Sequence, residues 1–140
     1  MRVYTLPVQA TAHDIDGNGH VNNIVYVQWM QDVAIAHSDR VGCTAATTAA
    51  GGTWVARSHH IEYLRPAFAG DRIRLETWVV DATKKSSSPR RYRMVRESDG
   101  ALLARGETLW VFVDVQSGRP RSIPPEVIDC FELVAPGEEP

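Results

Sequence analysis

From Ile24 to about Val41 the chain runs without a glycine or a proline, and apolar residues fill all but one narrow stripe of it. Ile24, Val25, Tyr26, Val27, Trp29, Met30, Val33, Ala34, Ile35 and Ala36 spread around most of a helical circumference. Gln28, Gln31, Asp32 and Asp39 keep to the remaining side. A helix that is apolar over most of its faces has to be enclosed. Asn22 or Asn23 caps its start, because an Asn side chain accepts from an orphan N–H of the first turn. Gly42 closes its end in a left-handed conformation.

Before this helix, residues 2–10 read as a short strand, with Pro7 placing it at a sheet edge. Residues 11–23 are polar and glycine-bearing and read as a loop. After the helix, residues 43–52 are small (Cys-Thr-Ala-Ala-Thr-Thr-Ala-Ala-Gly-Gly) and fit either a short helix or a mobile loop. From there the period falls to two. Trp54–Leu64, Asp71–Ala82, Arg90–Glu97 and Leu102–Val115 are strand candidates, with Ser98-Asp99-Gly100 as a hairpin turn between the last two. Leu109, Val111 and Val113 alternate with Trp110 and Phe112, so both faces of the last strand are apolar and both need cover.

One enclosed helix and about five strands define an α+β chain. A helix of this length spans about 27 Å, and five strands at ~4.8 Å spacing span about 24 Å, so the helix lies across one curled antiparallel sheet. It covers only one face. The uncovered face, or an unpaired edge strand, then asks for a second copy of the chain. At 140 residues the chain has the length of one domain. The domain is expected over residues 1–132, with a disordered tail over 133–140.

A net charge of −2 argues against a basic nucleic-acid binder. No apolar run reaches the ~18 residues of a bilayer span, and the N-terminus lacks the apolar stretch of a signal peptide. Two cysteines, Cys43 and Cys130, have no metal-type spacing and read as free thiols in a reducing, cytoplasmic setting.

Chemistry concentrates in Asp14-Ile-Asp16-Gly-Asn18-Gly-His20-Val-Asn22-Asn23, immediately before the helix. A helix N-terminus offers free N–H groups and a partial positive charge, which suit a developing oxyanion. A neighbouring carboxylate can serve as general base toward water or as nucleophile toward an acyl carbon. Acyl transfer to water is the chemistry that results. The alternative is a capping loop, since Asp, Asn and Gly are also turn formers.

The pattern Asp-x-Asp-x-Asn-x-His-Val-Asn-Asn-x-x-Tyr resembles the signature loop of hotdog-fold thioesterases, both of the 4-hydroxybenzoyl-CoA thioesterase family and of the acyl-ACP thioesterases. Tyr63-Leu-Arg-Pro-Ala67 with Gly70-Asp71 is similar to the family's second strand and the turn after it, and the order of elements fits over roughly residues 2–128. The resemblance implies a hotdog fold, a curved antiparallel sheet of about five strands wrapped around one long helix and dimerising through the sheet. It also implies active sites at a subunit interface in dimers or tetramers. It places the catalytic carboxylate at Asp16, as base or nucleophile, and the oxyanion-binding N–H near Asn23. Asn18 and His20 match positions of the acyl-ACP branch that bind substrate or orient water. Asp14 is then a loop-fixing residue, and Tyr26 and Trp29 are packing residues. The 4-hydroxybenzoyl-CoA enzymes carry bulky residues where this chain has His20 and Asn22-Asn23, so the loop does not favour an aromatic acyl group.

Lys84, Lys85, Ser86, Arg90 and Arg91 form a basic stretch suited to phosphates. In the family the corresponding region contacts the nucleotide phosphates of coenzyme A, and a solvated charged hairpin is the alternative. Arg57, His59, His60 and Glu62 share one strand, and polar residues at a dimer seam explain them better than a metal site does. The expected activity is acyl-CoA hydrolysis without metal or prosthetic group, coenzyme A entering only as part of the substrate. The alternatives are a non-catalytic acyl-CoA-binding protein and a thioesterase acting on acyl-carrier protein.

Overall fold

The computed structural model describes residues 2–140. Strand β1 (Tyr4–Gln9) leads through a 3-10 turn (Ala12–Asp14) into helix α1 (Asn23–Arg40). Helix α2 (Cys43–Ala49) follows, then β2 (Gly52–Tyr63), β3 (Arg72–Val79), β4 (Ser87–Arg96), β5 (Leu102–Asp114) and a short α3 (Pro125–Ile128). The five strands form one antiparallel sheet in the order β1-β3-β4-β5-β2. Pro7 does sit on an edge strand, where its missing N–H costs no ladder bond. Cys43–Ala49 resolves as helix, which its alanine content favours. One residue, Gly42 at φ +85°, both stops α1 and caps α2; a side chain there would strain the backbone.

Helix α1 crosses the sheet and buries Tyr26, Trp29, Met30, Val33, Ala34 and His37, a face at i, i+3, i+4 and i+7 spacing. These pack on Ile73, Leu75, Tyr92, Met94, Leu103 and Ala104. The crossing is close. A Cβ on Gly106 of β5 would meet the Met30 sulfur and the His60 carbonyl at 3.1 Å. The enclosure expected around most of α1 is not met in the single chain, because Ile24 is 74% exposed and Ile35 58%. The core claims one stripe of the helix, and a second apolar stripe stays open.

The tail expectation is corrected. Val134 is buried, bridges Val80 in parallel and exchanges backbone hydrogen bonds with Val79 and Asp81. Beyond it, Glu139 accepts from the Trp78 indole N–H at 2.8 Å and pairs with Arg91. A proline- and glutamate-rich composition reads as disordered, but one apolar residue in register and one carboxylate between two donors fix its course.

Candidate active site and cavity

The loop before α1 is a small closed hairpin. Ile15 bridges Val21, and the Asp16 N–H donates to the His20 carbonyl at 2.9 Å. Two further bonds tie it down: Asn22 N–H to Asp14 O at 2.7 Å and Val21 N–H to Ala67 O at 2.8 Å. Asp14 fixes the loop as expected, its Oδ2 accepting from the Thr11 backbone N–H at 2.8 Å and from the Thr11 hydroxyl at 3.2 Å. Asn22, rather than Asn23, is the cap; its Oδ1 accepts from Ile24 N–H at 3.0 Å. Asn23 is thus the first helical residue, and its N–H has no acceptor among the described residues. Its carbonyl is held by the Tyr63 hydroxyl at 2.9 Å.

Asp16 is half-buried, and its Oδ1 accepts from Asn18 N–H at 2.9 Å, an Asx turn that orients the carboxylate. Asn18 and His20 are exposed, and the His20 ring lies edge-on to Phe68 at 5.4 Å. Tyr26 and Trp29 are buried and stacked edge to face, as packing residues should be. One end of α1 therefore gathers a carboxylate, an amide, an imidazole and an unengaged backbone N–H.

The substantial cavity lies elsewhere. About 570 Å³ opens along the middle and C-terminal half of α1, between Gln28 and Asp39, with Trp54, Trp110, Arg90 and Phe131 among its walls. None of Asp16, Asn18, His20 or Asn23 lines it.

The basic stretch is divided by the fold. Strand β4 begins at Ser87, so only Lys84, Lys85 and Ser86 remain in the turn, and Arg121 joins Lys85 and Ser86 around a second, shallow depression. Arg90, read with the lysines as part of a turn suited to phosphates, is corrected: it lies on β4 and is 4% exposed. It shares strand parity with Tyr92 and Met94, so it points into the fold. Arg91 is exposed in part, but its guanidinium is taken by Glu107 at 2.8 Å and by Glu139. Neither arginine presents its charge to an outside phosphate in this arrangement. On β2, Glu62 is paired with Arg105 at 3.0 Å, and His59 Nδ1 lies 2.8 Å from Thr108 Oγ1. Among the described residues no cluster of three metal-ligating side chains forms.

Arg90 reaches His37. Its Nη1 donates to His37 Nδ1 at 2.9 Å and to Thr77 Oγ1 at 3.1 Å. Since arginine has only donors, Nδ1 must accept and the proton resides on Nε2, which is buried without a partner. Burial first, and the Arg90 charge second, push the His37 pKa from 6.5 down to about 3. Unfolded chains take up this proton below pH 6.5 and folded ones only near pH 3. The group's contribution to stability is complete above pH 6.5 and is lost as pH falls toward 3, by up to about 1.4 kcal/mol per unit. Urea midpoints measured from neutral to acid pH should fall more steeply for the wild type than for His37→Gln. Parallel profiles would show that His37 does not stay neutral.

The profile of the thioesterase-like superfamily matches residues 10–131. A bifunctional L-carnitine dehydrogenase/betainyl-CoA thioesterase of Ruegeria pomeroyi is 31% identical over 120 residues, covering 86% of this chain and 24% of that protein. The chain thus spans about a quarter of the length of that relative. A solved 4-hydroxybenzoyl-CoA thioesterase superposes with a TM-score of 0.82 at 19% identity, over 94% of this chain and all of that one. The 12:0-ACP thioesterase of Umbellularia californica gives 0.82 at 20% identity, over 93% of this chain and 51% of that one. The fold is the hotdog arrangement, with α1 as the helix packed across the sheet.

Proposed function

The chain belongs to the thioesterase-like superfamily, and from that premise we propose that it hydrolyses an acyl-CoA thioester to the free acid and coenzyme A. The observation that carries this reading is the hairpin at the start of α1. It holds the Asp16 carboxylate in a fixed turn beside a helix end whose first N–H is unengaged. In the proposed step the thioester oxygen takes a hydrogen bond from the Asn23 N–H. Asp16 removes a proton from water as it adds to the carbonyl carbon, or adds to that carbon itself. The carbon–sulfur bond then breaks and coenzyme A leaves as the thiolate, which is protonated; where Asp16 itself adds, water then cleaves the acyl–Asp16 anhydride to release the acid and restore the carboxylate. Asn18 and His20 flank the site and orient the water or the substrate. Lys84, Lys85 and Ser86 supply donors for the phosphates of coenzyme A.

Two copies complete the site in this proposal. The outer side of β2 has no neighbour among the described residues, over twelve positions. Val55 on that strand and Ile35 on α1 are exposed apolar side chains. A partner paired along β2 covers them and brings the loop of one protomer toward the cavity of the other.

The test is thiol release from a panel of acyl-CoA and acyl-carrier-protein thioesters by the purified protein, with its mass in solution measured alongside. Release from CoA esters by a dimer is the expected result. Saturable binding without release would make the chain an acyl-CoA-binding protein instead.

A further inference from the structure

Strand β4 carries four arginines, Arg90, Arg91, Arg93 and Arg96. Arg91 pairs with Glu107 and Glu139, Arg93 with Glu76, and Arg96 with Asp71 and Asp99. Arg90 is the most deeply buried of them and pairs with no carboxylate among the described residues. This reverses the usual economy of charge, in which the buried cation is the one that needs an anion and exposed cations do well in water. Its protein partners are neutral: His37 Nδ1, Thr77 Oγ1, and the Phe131 ring 5.3 Å away. Both hydrogen bonds come from Nη1. Its other nitrogens have no hydrogen-bond partner among the described residues, and a guanidinium receives a carboxylate through two N–H groups at once.

The same side chain forms part of the cavity wall, with Ser88, itself 5% exposed, two residues earlier on the same side of β4. Asp39, the acid among the cavity-lining residues, is exposed, is bonded to the Thr44 hydroxyl and makes no ion pair with Arg90. A cavity walled by Trp54, Trp110 and Phe131 and by a buried guanidinium fits an apolar chain that ends in an anion.

We propose that Arg90 anchors a carboxylate at the far end of the acyl group, so that this chain's substrates are the CoA thioesters of dicarboxylic acids. The proposal rests on the acyl-CoA reading of the site and its two-copy arrangement for the thioester half, since Asp16 and Asn23 do not line the cavity of their own chain, and on Arg90 for the rest. A quaternary ammonium terminus, despite the aromatic walls, meets a like charge at depth and is disfavoured.

The test compares CoA esters of matched length whose acyl groups end in a carboxylate, a methyl or a trimethylammonium group, in short, medium and long series. For the wild type, kcat/KM is expected to favour the carboxylate by roughly tenfold or more over the methyl ester at the best length. Arg90→Met should bring that ratio close to one, and Arg90→Lys, which keeps a charge without the planar fork, should retain part of it. Equal or better use of the methyl or trimethylammonium ester by the wild type would overturn the proposal, whatever the variants do. Calorimetric binding of the matching non-hydrolysable thioethers separates the two readings. Preferential binding of the carboxylate-ended thioether without any thiol release would sink the hydrolase and keep Arg90's role. Release from all esters without preference would do the reverse. Melting curves of both variants establish that they are folded.

Discussion

Asp16→Asn is expected to lower thiol release by about 10²- to 10⁴-fold, the range for loss of a positioned acid–base group. Its fold should hardly notice. The residue lies in a loop, and the asparagine keeps an Oδ1 that can accept from Asn18 N–H, the one hydrogen bond the carboxylate makes among the described residues. Thermal midpoints of the two proteins should therefore agree to within about 0.5 kcal/mol of stability. Asp16→Ala should lose the same activity and, in addition, roughly 1 kcal/mol for the missing turn bond. Single turnover in heavy-oxygen water distinguishes the two roles open to the carboxylate. Label entering the protein's own Asp16, or an acyl adduct on it in rapidly quenched protein, identifies a nucleophile, and label confined to the released acid with no adduct identifies a base. Undiminished thiol release by Asp16→Asn would remove this residue from the chemistry and leave the hairpin as a capping loop only.

Gly52→Ala is expected to be the most costly single methyl in the chain. A Cβ at that position would lie 2.2 Å from Cζ of Phe112 and under 3 Å from both flanking ring carbons. The ring has nowhere to go. It is fully buried against Cys43 and Val127, stands edge to face with Trp54 at 5.2 Å, and carries the Arg121 guanidinium 5.1 Å from its centre. Overpacking of this kind costs about 1–3 kcal/mol, and the rigid surroundings place it at the upper end. A smaller ring substitute should relieve it. Gly52→Ala with Phe112→Leu should be less destabilised than the sum of the two single changes, by an interaction energy of about 1 kcal/mol or more. Additive effects in urea titrations would mean that the backbone of β2 moves aside. Because Gly52 and Trp54 also border the cavity, the variant tests whether its shape depends on this packing.

The local pattern in the sequence reaches far into this fold. The 3.6-residue period found α1 to within a residue at each end, the two-residue period found the four long strands, and Pro7 marked an edge. These signals are local, carried by neighbours a few positions apart. What was missed depends on distant partners. Arg90 was read with the lysines before it as part of a basic turn. Its parity with Tyr92 and Met94 was the available signal of burial, and it is easily set aside for a charged residue because burying a guanidinium is costly. The tail was read by composition, which does not register that Val134 falls beside Val80 or that Glu139 finds the Trp78 indole. The candidate loop before α1 was legible as chemistry because its residues are contiguous. The cavity was not, since its walls come from α1, α2, the start of β2, β4, β5 and the C-terminal segment.

The bond from the Tyr63 hydroxyl to the Asn23 carbonyl joins the last residue of β2 to the first residue of α1. Tyr63 also stands edge-on to Tyr26 at 5.2 Å, one turn further into the helix. In the proposed assembly, a partner settling along the open side of that strand would stiffen, through one phenol, the peptide that follows the Asn23 donor. On the proposed reading, assembly and reactivity are coupled in such a chain, since a contact that orders its edge would also order the start of α1.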